Sequence, residues 1–381
     1  MNVLLKSVLS LSLSGTLLIC LLLLCNPLFR DRISKRWQYY MWLIVIVRLL
    51  VPFSLSVSPV NALFQKVDRA MVQITAISEG NDTHTLQAVG NAMAIILNDL
   101  WLVWLAGVLL LLIRKITIYQ GFVKYIKAGC SEVSDIDILN RVAQYEEQAG
   151  VKKPVDLCVN RLVSSPLLIG FFRPCIVLPT VDLPDSDFRY TILHELTHYR
   201  HRDMFYKWVV QITLCIHWFN PLVYLMCHEI DRACELACDE TIISTLEAKE
   251  RAAYGDTLLN AIGIGGSYHN STASMTLYEN KKMIKERLGS IMNFKKKSIW
   301  VMLGSLVLVI GLFAVSTVLG AYAAPAVAEG DLGADVTSTN IANDTAISGL
   351  SDVSLPTEGA EDIPESDKTV EESDNYIRFR F

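Results

Sequence analysis

Charge is scarce in this 381-residue chain: Asp, Glu, Lys and Arg make up 19% of it, against 52% hydrophobic residues. A soluble globular protein carries about 25% charge. The deficit is local, because Lys6 and Arg30 bracket 23 uncharged residues and Lys297 and Glu329 bracket 31. A bilayer core takes about 20 apolar residues in helix, so a wholly soluble, secreted or fibrous protein is excluded. A disulfide framework is missing too. Of the nine cysteines, Cys20 and Cys25 lie in the first apolar run and the rest between Cys130 and Cys238, with no CxxC spacing. Cys234 and Cys238, four apart, read as buried free thiols rather than a thiolate metal site. Cationic excess is absent as well. The net charge is −5, and residues 322–381 hold 13 acids against 3 bases, which leaves the remainder at only +5 and speaks against direct nucleic-acid binding.

Four segments are predicted to span a membrane as helices: residues 7–29, 37–55, 92–113 and 298–321. The first outruns the h-region of a signal peptide, typically about 7–15 residues, and ends in Cys25-Asn26-Pro27-Leu28-Phe29 rather than a small-residue cleavage site. Cytoplasmic loops hold the excess Lys and Arg. Arg30, Arg32, Lys35 and Arg36 outweigh Asp31, the third helix exits at Arg114-Lys115, and Lys295-Lys296-Lys297 precede the fourth. All three flanks are therefore expected inside, with the N-terminus and the acidic tail outside, in a multi-pass plasma-membrane protein. Arg48 and Asp99 interrupt the second and third spans at depths within roughly 5 Å of each other. A charge in lipid wants a partner, so an Arg48–Asp99 pair is expected, with Asp99 reaching the headgroups alone as the alternative.

The organisation expected is thus a membrane domain over residues 1–115, a cytoplasmic α+β domain over 116–297, a fourth membrane helix over 298–321, and a tail over 322–381 too polar to bury a core. Within the cytoplasmic block, residues 136–149 read as an amphipathic helix. Residues 155–159 and 175–178 read as short strands, with Gly170 and two prolines punctuating a strand-turn-strand between them. A helix is expected from about Asp187 through Arg200.

That helix contains His194-Glu195-Leu196-Thr197-His198. Residues four apart share a helix face, so both imidazoles can bind one Zn²⁺, with Glu195 beside them to take a proton from water. The bland alternative is a helix that happens to carry His and Glu, but Ile192, Leu193 and Leu196 mark it as buried, where ionisable groups need a purpose. A second helix, residues 229–240, carries Glu235 and Asp239 four apart. Alone it reads as a solvated acidic face. Beside the first it offers what a catalytic zinc site wants: a third ligand in Glu235, and in Asp239 a carboxylate for the other ring nitrogen of His194. Residues 204–227 between the helices are long enough to span a membrane, yet a single crossing would separate Glu235 from His194. A hairpin bent near Phe219-Asn220-Pro221, or a core or membrane-surface pair, is expected instead. His201, His217 and His228 are left as packing residues.

The ordered set Ser165-Pro166, Gly170, Arg173-Pro174, Leu178-Pro179, then residues 194–203, His217-Trp218-Phe219-Asn220-Pro221 and Cys234-Glu235-Leu236-Ala237-Cys238-Asp239 is similar to the BlaR/MecR family of membrane zinc metallopeptidases over roughly residues 1–320. The resemblance implies a gluzincin fold with Zn²⁺ as cofactor, His194 and His198 as ligands, Glu195 as base and Glu235 as third ligand. It also implies self-cleavage and a BlaI/MecI-like repressor as partner, besides the lipid bilayer and a protein or peptide substrate. The receptor members carry a penicillin-binding sensor after the fourth helix. About 60 residues rich in Asp, Glu, Ser, Thr and Ala stand in that place here, so direct β-lactam sensing is not expected. Residues 279–297, which contain Arg287-Leu288-Gly289-Ser290-Ile291-Met292-Asn293-Phe294, connect the domain to the fourth helix as a candidate self-cleavage linker or, equally, a basic juxtamembrane anchor. The functional reading is a regulatory, signal-transducing membrane zinc endopeptidase. A housekeeping quality-control protease and a non-proteolytic transducer with structural zinc are the alternatives. The transition-state stabiliser is open among Tyr199, His201, His228 and Arg173, and so is the oligomeric state, a homodimer included.

Overall fold

A computed structural model describes residues 3–29, 32–52, 59–79, 84–171, 173–263, 273–295 and 299–319, and the chain is mostly helical. The expected tail over 322–381 lies outside these residues. Helices α1 (Val3–Phe29) and α2 (Lys35–Leu50) are followed by α3 (Pro59–Glu79) and α4 (His84–Ala128). Among the described residues two stretches are long and apolar enough to cross a bilayer, Val3–Pro27 and Asn98–Ala128. Helix α3 was not expected. Its Asn61, Gln65, Lys66, Asp68 and Arg69 interrupt every apolar run. Helix α4 has 45 residues and at about 1.5 Å per residue continues unbroken past the expected boundary at 115.

The sheet follows: β1 (Ser131–Glu132), α5 (Ile136–Ala149), β2 (Asp156–Val159), β3 (Leu167–Ile169) and β4 (Cys175–Leu178), in the spatial order β1-β2-β4-β3. Strands β2 and β4 are parallel, from Asp156 opposite Cys175 to Val159 opposite Leu178, while β3 runs antiparallel to β4. The turn joining β3 to β4 depends on Gly170, at φ +89°. A Cβ there would sit 2.1 Å from the carbonyl oxygen of Arg173, so only glycine fits. The sulfurs of Cys158 and Cys175 touch across β2 and β4. Their Cα atoms are 7.0 Å apart, beyond the usual reach of a bridge, and the pair reads as neighbouring thiols.

Helix α6 (Asp185–His201) opens with Asp185 and Asp187 in its first turn, where acidic groups favour the N-terminal dipole. It ends at Arg202, the only non-glycine with positive φ (58°) among the described residues. Helices α7 (Asp203–Ile216) and α8 (Pro221–Ile243) form a hairpin bent at residues 217–220, and α9 (Ala248–Gly263), α10 (Ala273–Met292) and α11 (Ile299–Leu319) are the last elements among the described residues. The hairpin tip is held by three other helices. His217 Nε2 donates to the Leu49 carbonyl at 3.0 Å, Asn220 Nδ2 donates to Ser12 and Thr16 at 2.8 Å each, and Trp104 Nε1 donates to the Ile216 carbonyl at 2.9 Å. Arg48, expected to pair with Asp99, is buried and donates to Ser14 Oγ at 3.1 Å. Asp99 is exposed on α4. The difference is one of azimuth: equal depth does not make two helix faces meet.

Among the described residues a small core joins Ile126 of α4 to β2, β3 and β4. Of two larger cores, one joins α1, α2, α7, α8 and Leu312 of α11; the other joins α5, β2, β4, α6, the end of α8, α9 and Ile291 of α10. Helix α8 belongs to both, giving Met226, Ile230 and Cys234 to the first and Ile242 and Ile243 to the second. Glu235 and Asp239 lie where the cores meet.

Candidate metal centre

Helix spacing brings His194 and His198 together on α6, with ring centroids 4.7 Å apart and planes at 88°. Their Nε2 atoms are 3.1 Å apart. From α8, Glu235 Oε2 lies 3.4 Å from His194 Nε2, and Oε1 lies 3.7 Å from His198 Nε2. A tetrahedral ion with bonds of about 2.0–2.1 Å requires ligand atoms about 3.3 Å apart, so these separations fit one divalent ion.

The groups behind these side chains fix which nitrogens face inward. Asp203 Oδ2 accepts from His198 Nδ1 at 2.7 Å, and Tyr39 Oη of α2 donates to Asp203 Oδ1 at 2.9 Å. The left-handed turn at Arg202 is what folds Asp203 back onto the helix that carries His198. Tyr254 of α9 donates its single proton to Asp239 Oδ1 at 2.6 Å, so its oxygen accepts from His194 Nδ1 at 3.0 Å. Both rings therefore carry hydrogen on Nδ1 and turn their Nε2 atoms toward Glu235. A ligand histidine is ordinarily oriented in this way.

Asp239, expected behind His194, is 3.7 Å from its Nδ1 and acts on it through Tyr254. Arg287 of α10 binds Asp239 with Nε at 2.7 Å and Nη2 at 2.8 Å, and places Nη1 3.2 Å from Glu235 Oε2. Burial opposes ionisation of Glu235, but Arg287 and the two histidines overcome it and hold its pKa well below the carboxylate range. Burial likewise opposes charge on His198. The hydrogen bonds to Asp203 and Cys234 and the charge of Glu235 outweigh it, so the pKa lies well above the imidazole range. What attracts a cation also attracts a proton.

Glu195 is buried beside the ligands, and no hydrogen bond or ion pair to it occurs among the described residues. Its neighbours on α6, Leu193 and Leu196, pack into the core. Cys234 and Cys238 are free and fully buried, as expected, yet Cys238 Sγ sits 3.2 Å from His198 Nδ1 and donates to Asp203 Oδ2 at 3.3 Å. His201 Nδ1 lies 3.7 Å from Cys238 Sγ, and its Nε2 lies 3.4 Å from Thr241 Oγ1. Arg173 is exposed at the β3–β4 turn. Asp203 and Tyr254 were not read as functional from the sequence, and Arg287 was read only as part of a candidate self-cleavage linker or juxtamembrane anchor. Only Asp203 carried a signal, because it closes the 194–203 motif.

A helix bearing two imidazoles one turn apart, met by a carboxylate from a second helix and flanked by a buried glutamate, puts the chain in the class of metallopeptidases. Comparison narrows that class. The family model described as BlaR1 peptidase M56 matches residues 6–291, and the chain belongs to that family of membrane metallopeptidases. The methicillin resistance mecR1 proteins of Staphylococcus aureus and Staphylococcus epidermidis are each 27% identical over 299 residues, covering 74% of this chain and 51% of their own length. The regulatory protein BlaR1 of Bacillus licheniformis is 25% identical over 302 residues, covering 74% and 50%. The chain thus spans about half the length of the curated relatives it matches.

Proposed function

We propose that this chain is a membrane-anchored zinc endopeptidase of gluzincin type that transduces a signal by cutting itself and inactivating a BlaI/MecI-like repressor. The observation that carries the reading is the convergence of His194 Nε2, His198 Nε2 and the Glu235 carboxylate within 3.1–3.7 Å of one another. His194, His198 and Glu235 would hold a Zn²⁺, which would supply Lewis-acid activation of water and of the scissile carbonyl. Glu195 accepts a proton from the attacking water and delivers it to the leaving amine nitrogen. Asp203 and Tyr254 keep the two rings from turning. The substrate lies extended along β3, which stands at the sheet edge, and adds a strand to it.

The chain crosses the membrane through α1, α2, α4 and α11, with the peptidase domain cytoplasmic and the N-terminus and tail outside. Basic flanks support that orientation. The contact of His217 with the Leu49 carbonyl, near the end of α2 remote from Lys35, supports a re-entrant α7–α8 hairpin in the membrane layer. The names of the relatives, a methicillin resistance protein and a regulatory protein, support a regulatory role over housekeeping.

Mapping cut termini in cells that express wild type or Glu195→Gln tests the reading. We expect the variant to retain zinc and to lose cleavage by at least about 100-fold, the scale of general-base catalysis. Undiminished cleavage would reject the mechanism.

A further inference from the structure

Helix α10 does more than lead to α11. Two consecutive side chains on it grip α8. Arg232 clamps Glu286 with Nε on Oε2 at 2.6 Å and Nη2 on Oε1, and its Nη1 binds Glu229 at 2.7 Å. One residue on, all three nitrogens of Arg287 are engaged: Nε and Nη2 on Asp239, Nη1 on Glu235. The side chain of Arg287 is only 16% exposed and that of Asp239 is fully buried. Nearby, Ile291 of α10 is buried in the domain core. In sequence, α11 begins seven residues after the last residue of α10.

Taking the metal-centre reading as its basis, we propose that Arg287 is a positioning residue for the metal ligands. Its fork fixes Asp239, and through Tyr254 the ring of His194, while its remaining nitrogen sets the orientation of Glu235. Ligand geometry then depends on α10 being docked. A planar guanidinium can hold two carboxylates at once in this way, and a lysine ammonium, a single point charge, cannot.

The sign of the effect separates positioning from charge. By Coulomb's law alone, removing a positive group beside a site makes a cation bind more tightly. Lost orientation behind a ligand weakens binding, typically 10–100-fold. The test measures Zn²⁺ affinity of the full chain in lipid nanodiscs by competition with a chromophoric chelator, and the visible spectrum of the Co²⁺-loaded chain.

We expect Arg287→Met to bind Zn²⁺ about 10–100-fold more weakly than wild type. Arg287→Lys should also bind more weakly and show shifted Co²⁺ bands. Glu286→Gln, which removes a charge from α10 but can still accept from Arg232 and leaves Arg287 on its two carboxylates, should stay within about threefold. If Arg287→Met loses its cooperative melt, Arg287→Lys carries the test. Zn²⁺ bound equally or more tightly by the Lys variant, with an unchanged Co²⁺ spectrum, overturns the inference, as does an equal loss in Glu286→Gln. A wild-type chain that binds no ion overturns the metal centre itself and this inference with it.

Discussion

At the scale of the residue, Asp203 sets which nitrogen of His198 faces the candidate metal centre. Its Oδ2 accepts from Nδ1 at 2.7 Å while Tyr39 occupies Oδ1, so the carboxylate is committed on both sides. In Asp203→Asn the amide can turn its NH₂ toward Nδ1 and favour the wrong tautomer. We expect Zn²⁺ affinity to fall about 10–100-fold. Tyr254→Phe should cost less, because Asp239 already stands 3.7 Å from His194 Nδ1 and needs only a small shift to replace the phenol. Chelator competition on the two purified variants checks the order, and equal losses would contradict it. The proximity of His194, His198, Glu235 and Asp239 was legible in the sequence because both pairs, 194/198 and 235/239, sit one helical turn apart and a helix fixes their common face. Asp203 is five residues from His198, and its approach depends on a left-handed residue that spacing does not reveal. Tyr254 and Arg287 reach the centre from α9 and α10, at sequence separations of 60 from His194 and 48 from Asp239, where only packing decides.

At the scale of the element, the bend at Arg202 governs how α7 leaves α6. Its backbone N–H closes α6 on the carbonyls of His198 and Tyr199 while φ stands at 58°. For an L-residue with a Cβ the left-handed well costs roughly 1–2 kcal/mol; glycine escapes that cost. Arg202→Gly is therefore expected to be neutral or to stabilise by up to about 1 kcal/mol. Arg202→Val should destabilise by more than about 1 kcal/mol and weaken Zn²⁺ binding as well, since Asp203 follows the bend. Denaturant melts of both variants beside Zn²⁺ titration check this, and a stable, tightly binding Val variant would show that the bend is not strained. Regular elements were legible where composition marks both ends. The helix over 136–149 has Asp135 capping it and Gly150 in the left-handed region behind it, and the β3–β4 turn announced itself through Gly170 and Pro174. Helix α3 was hidden by its mixed polarity. The length of α4 was hidden because the expected helix ended at Arg114-Lys115, where the apolar run stops but the helix does not.

At the scale of the whole molecule, α8 is shared between the two cores, and the candidate centre sits on it between them. Further ties meet there. Ser34, the residue before α2, donates to Glu240 Oε2 at 2.5 Å, and the Arg36 N–H donates to the same oxygen at 3.0 Å. Tyr39 of α2 reaches the centre through Asp203, and α10 reaches it through Arg287. An ion bound only in the folded state stabilises by RT ln(1 + [L]/Kd), about 4 kcal/mol at a thousandfold excess over Kd. That energy enters at the junction, so neither core can take it alone. Stripping the metal is expected to raise amide exchange in α6 and in both halves of α8, around Met226 and around Ile242, by a similar factor. Peptides from α5, which touches neither ligand helix at the centre, should follow only through the shared core and respond less. Hydrogen-exchange mass spectrometry on the full chain in nanodiscs, with Zn²⁺ and after chelation, distinguishes the patterns. A response confined to the α6–α7 turn would mean that the centre is a local clip and that the two cores are stabilised independently of it.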